Sequence, residues 1–231
     1  MKNIRSQEAI EILKNISKDR LRTNLLRTGE QKALVILVQR IPSWIQSDML
    51  TFIGFLGSLT TLLSFILATY VHKNYLLLGV LGFAINWFGD SLDGRLAYFR
   101  NQPRKWYGFS LDITVDWMTT ILIGCGYMIY TDGNWKMLGF GFVVMYGWAM
   151  ITTLVRYKAT GKYTIDSGLV GPTEVRIIIS VILVTEVLFK DSILFSAIIA
   201  CAILFLVNFF DTLKLLRLAN ELDIKEKEKK L

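Results

Sequence analysis

A chain of 231 residues that is 53% hydrophobic, with a mean hydropathy of +0.44 and long apolar runs, lies outside the range of an ordinary soluble domain. In so apolar a chain the net charge of +7 is explained by anionic lipid headgroups and anionic substrates, which excludes nucleic acid as a partner. Cys125 and Cys201 fall inside apolar runs with no CxxC and no paired histidine, so redox and thiolate-metal chemistry are excluded as well.

The N-terminus is polar and lacks an apolar core segment, so no cleavable signal peptide is expected. Residues 1–50 form no span. In SQEAIEILKNISKDRLRTNLL, Ile10, Leu13, Ile16 and Leu21 make one helical stripe, and GEQKALVILVQRIPSWI repeats the pattern with Leu34, Ile36, Leu37 and Ile41. Both stretches are predicted to be amphipathic helices, lying in the membrane interface or packed on the protein's own cytoplasmic face.

Six runs approach the roughly 20 apolar residues that a bilayer-spanning helix needs: 51–70, 75–97, 109–130, 136–155, 173–189 and 191–213. Pro42, Pro103 and Pro172 all lie before a span or in a loop, as helix breakers should. Basic residues crowd the N-terminal segment, the loop after the second run (Arg100, Arg104, Lys105) and the loop after the fourth (Arg156, Lys158, Lys162), against only Lys73, Lys136 and Lys190 on the opposite side. Positive-inside bias then predicts both termini in the cytoplasm. The expected architecture is all-α: interfacial helices over 1–50, a six-helix transmembrane domain over 51–217, and a charged, frayed cytoplasmic tail over 218–231.

The stretch GDSLDGRLAYFRNQPRKWYGFSLDITVDWMTT, residues 89–120, carries four carboxylates inside otherwise apolar spans. Asp90 and Asp93 are three apart near the end of the second span, and Asp112 and Asp116 are four apart near the start of the third, so each pair shares a helix face. The two spans run antiparallel about a short basic loop, and the four side chains can meet just inside the cytoplasmic boundary. Such charges persist in a membrane only with partners. Those are divalent cations such as Mg²⁺ or Mn²⁺, or, in a structural ion-pair cluster, Arg95, Arg100, Arg104 and Lys105. Gly94 and Gly108, with Ala97 one turn on, keep the surrounding wall shallow, as a metal-bound diphosphate requires.

DSLDG, followed by Ala97, Gly108, Asp112 and Asp116, resembles the signature of the CDP-alcohol phosphotransferase family, DxxDGxxAR, a spacer, then GxxxDxxxD. The resemblance implies a six-helix core, a homodimer and an integral-membrane transferase of phospholipid biosynthesis whose active site faces the cytoplasm, in the plasma membrane if the source is bacterial. By that resemblance Asp90, Asp93, Asp112 and Asp116 hold two divalent metals, Mg²⁺ or Mn²⁺, while Gly94, Ala97 and Gly108 line the cytidine pocket of a CDP-linked donor. Asp116 is then the general base for an alcohol acceptor, and CMP is released. The family's Arg after the Ala is Tyr98 here. Arg100 can replace it only if the helix has ended, because two positions are about 200° around a helix.

Arg156, Glu174 and Arg176 are candidates for the acceptor pocket, or else anchors at the headgroup level. CDP-diacylglycerol with a water-soluble acceptor and a CDP-linked polar head with a lipid alcohol both remain open. The competing readings are a cation transporter or channel using the same carboxylates, a prenyltransferase, and an inactive family member marked by Tyr98.

Overall fold

The computed structural model describes residues 27–161 and 171–229. The predicted stripe from Ile10 to Leu21, Lys162 and residues 166–170 lie outside the described residues. Within them the chain forms seven α-helices and no strand: α1 Arg27–Arg40, α2 Ser47–Tyr70, α3 Leu76–Phe99, α4 Lys105–Tyr130, α5 Met137–Thr160, α6 Pro172–Leu188 and α7 Ser192–Glu228. The expected all-α class holds.

Five segments are long and apolar enough to cross a membrane: α2, α3 with its preceding turn, α4, α5 with its preceding turn, and α7. The expected sixth, α6, has 17 residues. At 1.5 Å per residue it measures about 26 Å, short of a hydrocarbon core of about 30 Å.

Packing is closest between α2 and α3. A Cβ added to Gly89 would collide with backbone atoms of Gly54 and Leu50, and one added to Gly57 would collide with the backbone of Asn86. Small residues that let backbones touch are the usual adhesive between helices in lipid, where apolar burial drives nothing. Here they fix the rotation of α3 about its axis, and therefore the direction in which Asp90 projects.

Apolar packing forms two clusters. One gathers Phe65, Leu76, Phe83, Tyr127, Leu183 and Ile193 toward the end of the bundle where α2 and α4 terminate. The other, at the carboxylate end, gathers Leu34 and Val38 of α1 with Leu50, Leu92 and Leu96. Helix α1 is thus packed on the protein's own face. Its inward side follows an i, i+4 pair, Leu34 and Val38, whereas Ile36 of the predicted stripe is 53% exposed.

Helix α7 runs on to Glu228, through the segment expected to fray. Glu221 with Lys225 and Asp223 with Lys227 stand i, i+4 with the acid first, the order that supports an exposed helix.

Candidate metal centre

Asp90 in the second half of α3 and Asp112 and Asp116 in the first half of α4 each offer a carboxylate oxygen within 4.8 Å of the other two, and all three side chains are half-buried. The short loop from Arg100 to Arg104 turns the chain back, so the i, i+4 face of α4 meets the inner face of α3. Oxygens on opposite sides of a Mg²⁺ ion stand about 4.2 Å apart, twice the usual bond length. A side-chain rotation would therefore suffice to bring the trio around a single ion of that size. The all-oxygen donor set matches the preference of Mg²⁺ and Mn²⁺.

Asp93, the fourth carboxylate, lies near the trio but outside the group whose oxygens come within 4.8 Å of one another. Thr51 Oγ1 donates to its Oδ2 at 2.6 Å, and the Gly94 N–H donates to its Oδ1. Ser47 Oγ donates to the Asp93 carbonyl at 2.8 Å. Ser47 and Thr51, one turn apart at the start of α2, thereby hold the last turns of α3. Spacing alone linked Asp93 with Asp90. What it could not show was a hydroxyl from a helix some forty residues earlier.

Three of the four cations expected to neutralise these carboxylates make other contacts among the described residues. Arg104 pairs with Asp48, and Arg95 donates to the Ser91 carbonyl of its own helix. Arg100 follows the end of α3, as replacement of the missing arginine requires, yet its guanidinium donates to the carbonyls of Ile45 and, at 2.8 Å, Pro42. It ties down the elbow between α1 and α2. Among the described residues, Arg176 of α6 is a charge partner of the site: its Nη2 lies 2.6 Å from Asp90 Oδ2 with only 12% of the side chain exposed.

The other two acceptor candidates have structural partners. Glu174 is buried and accepts from the Gly171 N–H at 3.0 Å, closing the first turn of α6 beside Pro172. Arg156 at the end of α5 faces Asp211 of α7, 3.9 Å away. Among the described residues, a Cβ on Gly94 or Gly108 would meet nothing within 4 Å. Ala97 is half-buried and Tyr98 is 36% exposed at the end of α3.

Sequence reasoning also missed a groove of about 700 Å³ between α1, α3 and α6. Its length is apolar, lined by Val80, Phe83, Ala84, Val181 and Val184, and its polar end holds Glu30, Thr173 and Arg176. Thr173 Oγ1 donates to Glu30 Oε1 at 3.0 Å, joining α1 to α6. Arg176 belongs to groove and carboxylate cluster alike. The signal was the apolar i, i+4 run of α6 opposite α3, which in a membrane span cannot be told from a lipid-facing surface.

Fold and site together define an all-helical protein with five helices long and apolar enough to cross a membrane and a carboxylate cluster at one end of the bundle. No family model matches the chain, and no curated protein matches it.

Proposed function

We propose that the protein is an integral-membrane, metal-dependent transferase that moves a phosphatidyl or phosphoalcohol group from a CDP-linked donor to an alcohol, with release of CMP. The observation that carries this reading is the convergence of Asp90, Asp112 and Asp116, with Arg176 shared between that cluster and the lining of an apolar groove. Carboxylates alone would suit an ion pathway. Beside a groove shaped for an acyl chain, they suit an anionic headgroup chemistry, with one reactant a lipid.

Asp90, Asp112 and Asp116 would hold Mg²⁺ or Mn²⁺, with Asp93 able to join by turning from Thr51. The metal supplies positive charge that neutralises a diphosphate and the departing CMP. Arg176, buried against Asp90, adds a fixed cation on the groove side, where the phosphates of a lipid-linked reactant end. Asp116 takes the proton from the acceptor hydroxyl as its oxygen bonds to the donor's β-phosphorus. The P–O bond to the CMP phosphate breaks, and CMP leaves with that electron pair. Gly94, Ala97 and Gly108 leave room for the cytidine, and Arg156, one turn before the end of α5, is a cation for an acceptor phosphate.

In this reading six helices cross the membrane, both termini and the site face the cytoplasm, and the protein is a homodimer. Support for the sixth crossing comes from the reach of α6. It pairs with Asp90 through Arg176 at one end and with Tyr130, the last residue of α4, through Glu186 at the other. It therefore reaches from the level of the carboxylates to the far end of the bundle, and local thinning of the bilayer accommodates the shortfall.

The test is CMP release by the purified protein in nanodiscs from CDP-diacylglycerol, CDP-choline or CDP-ethanolamine, with a panel of acceptors and with Mg²⁺, Mn²⁺ or EDTA. Metal-dependent release is expected, with Asp116→Asn slowing it by at least roughly 10²-fold, the usual contribution of a general base. No release from any donor despite tight Mn²⁺ binding would overturn the transferase reading and leave Tyr98 as the mark of a lost activity.

A further inference from the structure

One turn deeper than the carboxylates lies a buried polar cluster that the proposed chemistry does not use. Asn86 of α3 is four residues before Asp90, and Thr119 of α4 is three residues after Asp116. Between them stands Ser58 of α2. Asn86 Nδ2 donates to Ser58 Oγ at 3.0 Å and to the Gly54 carbonyl at 3.1 Å, and Ser58 Oγ lies 2.7 Å from Thr119 Oγ1. Ser58 is 1% exposed and Asn86 2%. One side-chain oxygen of α2 therefore joins the two helices that carry the metal-facing carboxylates.

Stability alone does not account for this cluster. Asn86 Oδ1 is buried with no partner among the described residues. A buried polar group without a partner is costly, and a partly satisfied network is worse than apolar packing of the same shape. Hydrogen bonds between membrane helices contribute little on average. What the cluster does supply is direction. Glycine contacts seat α3 on α2, and a hydroxyl of α2 bonded to both α3 and α4 adds a constraint on the mutual register of those two helices. Its position, one turn behind Asp90 on α3 and behind Asp116 on α4, is where such a constraint sets the spacing of the carboxylates.

We infer that Ser58, with Asn86 and Thr119, is a positioning cluster that holds Asp90 and Asp116 at the separation a divalent cation requires. Helix α2 is then the template of the site. Ser47 and Thr51 hold Asp93 at its start, and Ser58 sets the other carboxylates two turns further in. This rests on the proposed metal-binding role of the trio, though not on the identity of the reaction.

The test is Mn²⁺ affinity, measured by electron paramagnetic resonance on the purified full-length protein in nanodiscs, together with the melting temperature in EDTA. Thr119→Val removes the hydroxyl at constant shape, Thr119→Ser keeps it, and Ser58→Ala removes a single oxygen. Outer partners of metal ligands commonly change affinity by roughly 10–100-fold. Thr119→Val and Ser58→Ala are expected to weaken Mn²⁺ binding about tenfold with little change in melting temperature in EDTA, and Thr119→Ser to restore wild-type binding. Unchanged affinity in Ser58→Ala and Thr119→Val overturns the inference, as does Thr119→Ser binding no better than Thr119→Val. If the wild type binds no Mn²⁺, the inference and the proposed metal chemistry fall together. If the wild type binds Mn²⁺ with the expected hydroxyl dependence yet releases no CMP, only the transferase reading falls.

Discussion

Asp90 and Asp93 share a helix face and a sequence motif, yet their surroundings separate them. Asp90 lies between Arg176 and the carboxylates of α4, while Asp93 is held by Thr51 and its own helix. Gly94 follows Asp93 directly and presents no side chain to open space. Alanine there adds a methyl with nothing to strike and a better helix former, worth up to about 1 kcal/mol in a helix interior. Gly94→Ala is therefore expected to melt no lower than the wild type. If the donor's cytidine occupies that space, the same variant raises the donor KM without loss of fold; an unchanged KM would move the cytidine elsewhere. The comparison separates a glycine kept for a ligand from one kept for packing, such as Gly89.

At the scale of elements, the ends of helices decide where charge can be buried. Glu186 near the end of α6 is 1% exposed. It accepts from Tyr130 Oη at 2.9 Å, from the backbone N–H of Asp191 at 3.1 Å and of Ile193 at 2.8 Å, and from Ser192 Oγ at 3.2 Å. The N–H groups belong to the unsatisfied first turn of α7, whose dipole favours a negative charge. Glu186 thus joins α4, α6 and α7 at the end opposite the site. A carboxylate so fully engaged is a fastening and not a station on an ion route, which weighs against the transporter reading. Glu186→Leu strands those donors and is expected to lower stability by roughly 2–3 kcal/mol, read by thermal unfolding in detergent, while Mn²⁺ affinity stays unchanged. A parallel loss of Mn²⁺ binding would show that the two ends of the bundle are coupled.

For the molecule as a whole, the open question is the number of crossings. Alternation of helix direction puts the Arg100–Arg104 loop at the carboxylate end and the Asp132–Lys136 turn at the other. With the positive-inside bias, a membrane-impermeant thiol reagent applied to intact cells is expected to label Asn134→Cys and to spare Gln102→Cys, in a background lacking Cys125 and Cys201. A second pair, Lys190→Cys and Lys229→Cys, counts the crossings. Labelling at Lys190 with protection at Lys229 fits six, and the reverse at Lys190 would leave α6 as a helix that enters without crossing. The same experiment decides whether the site lies in the compartment that supplies nucleotide-linked donors.

Local chemistry was legible in the residues themselves. Apolar run length determined the all-α class, since a chain in lipid must satisfy its backbone within each helix, and the i, i+4 spacing put Asp112 and Asp116 on one face of α4. The resemblance supplied the candidate roles, which await the assays above. Tertiary structure decided the rest, because each remaining contact joins residues far apart in sequence. Thr51 against Asp93, Arg176 against Asp90 and Ser58 between Asn86 and Thr119 depend on which faces of α2 and α6 turn inward. That rotation is set by glycine contacts and hydroxyl bonds between helices, and in a membrane span the hydropathy pattern carries little trace of it, because lipid and protein interior are equally apolar.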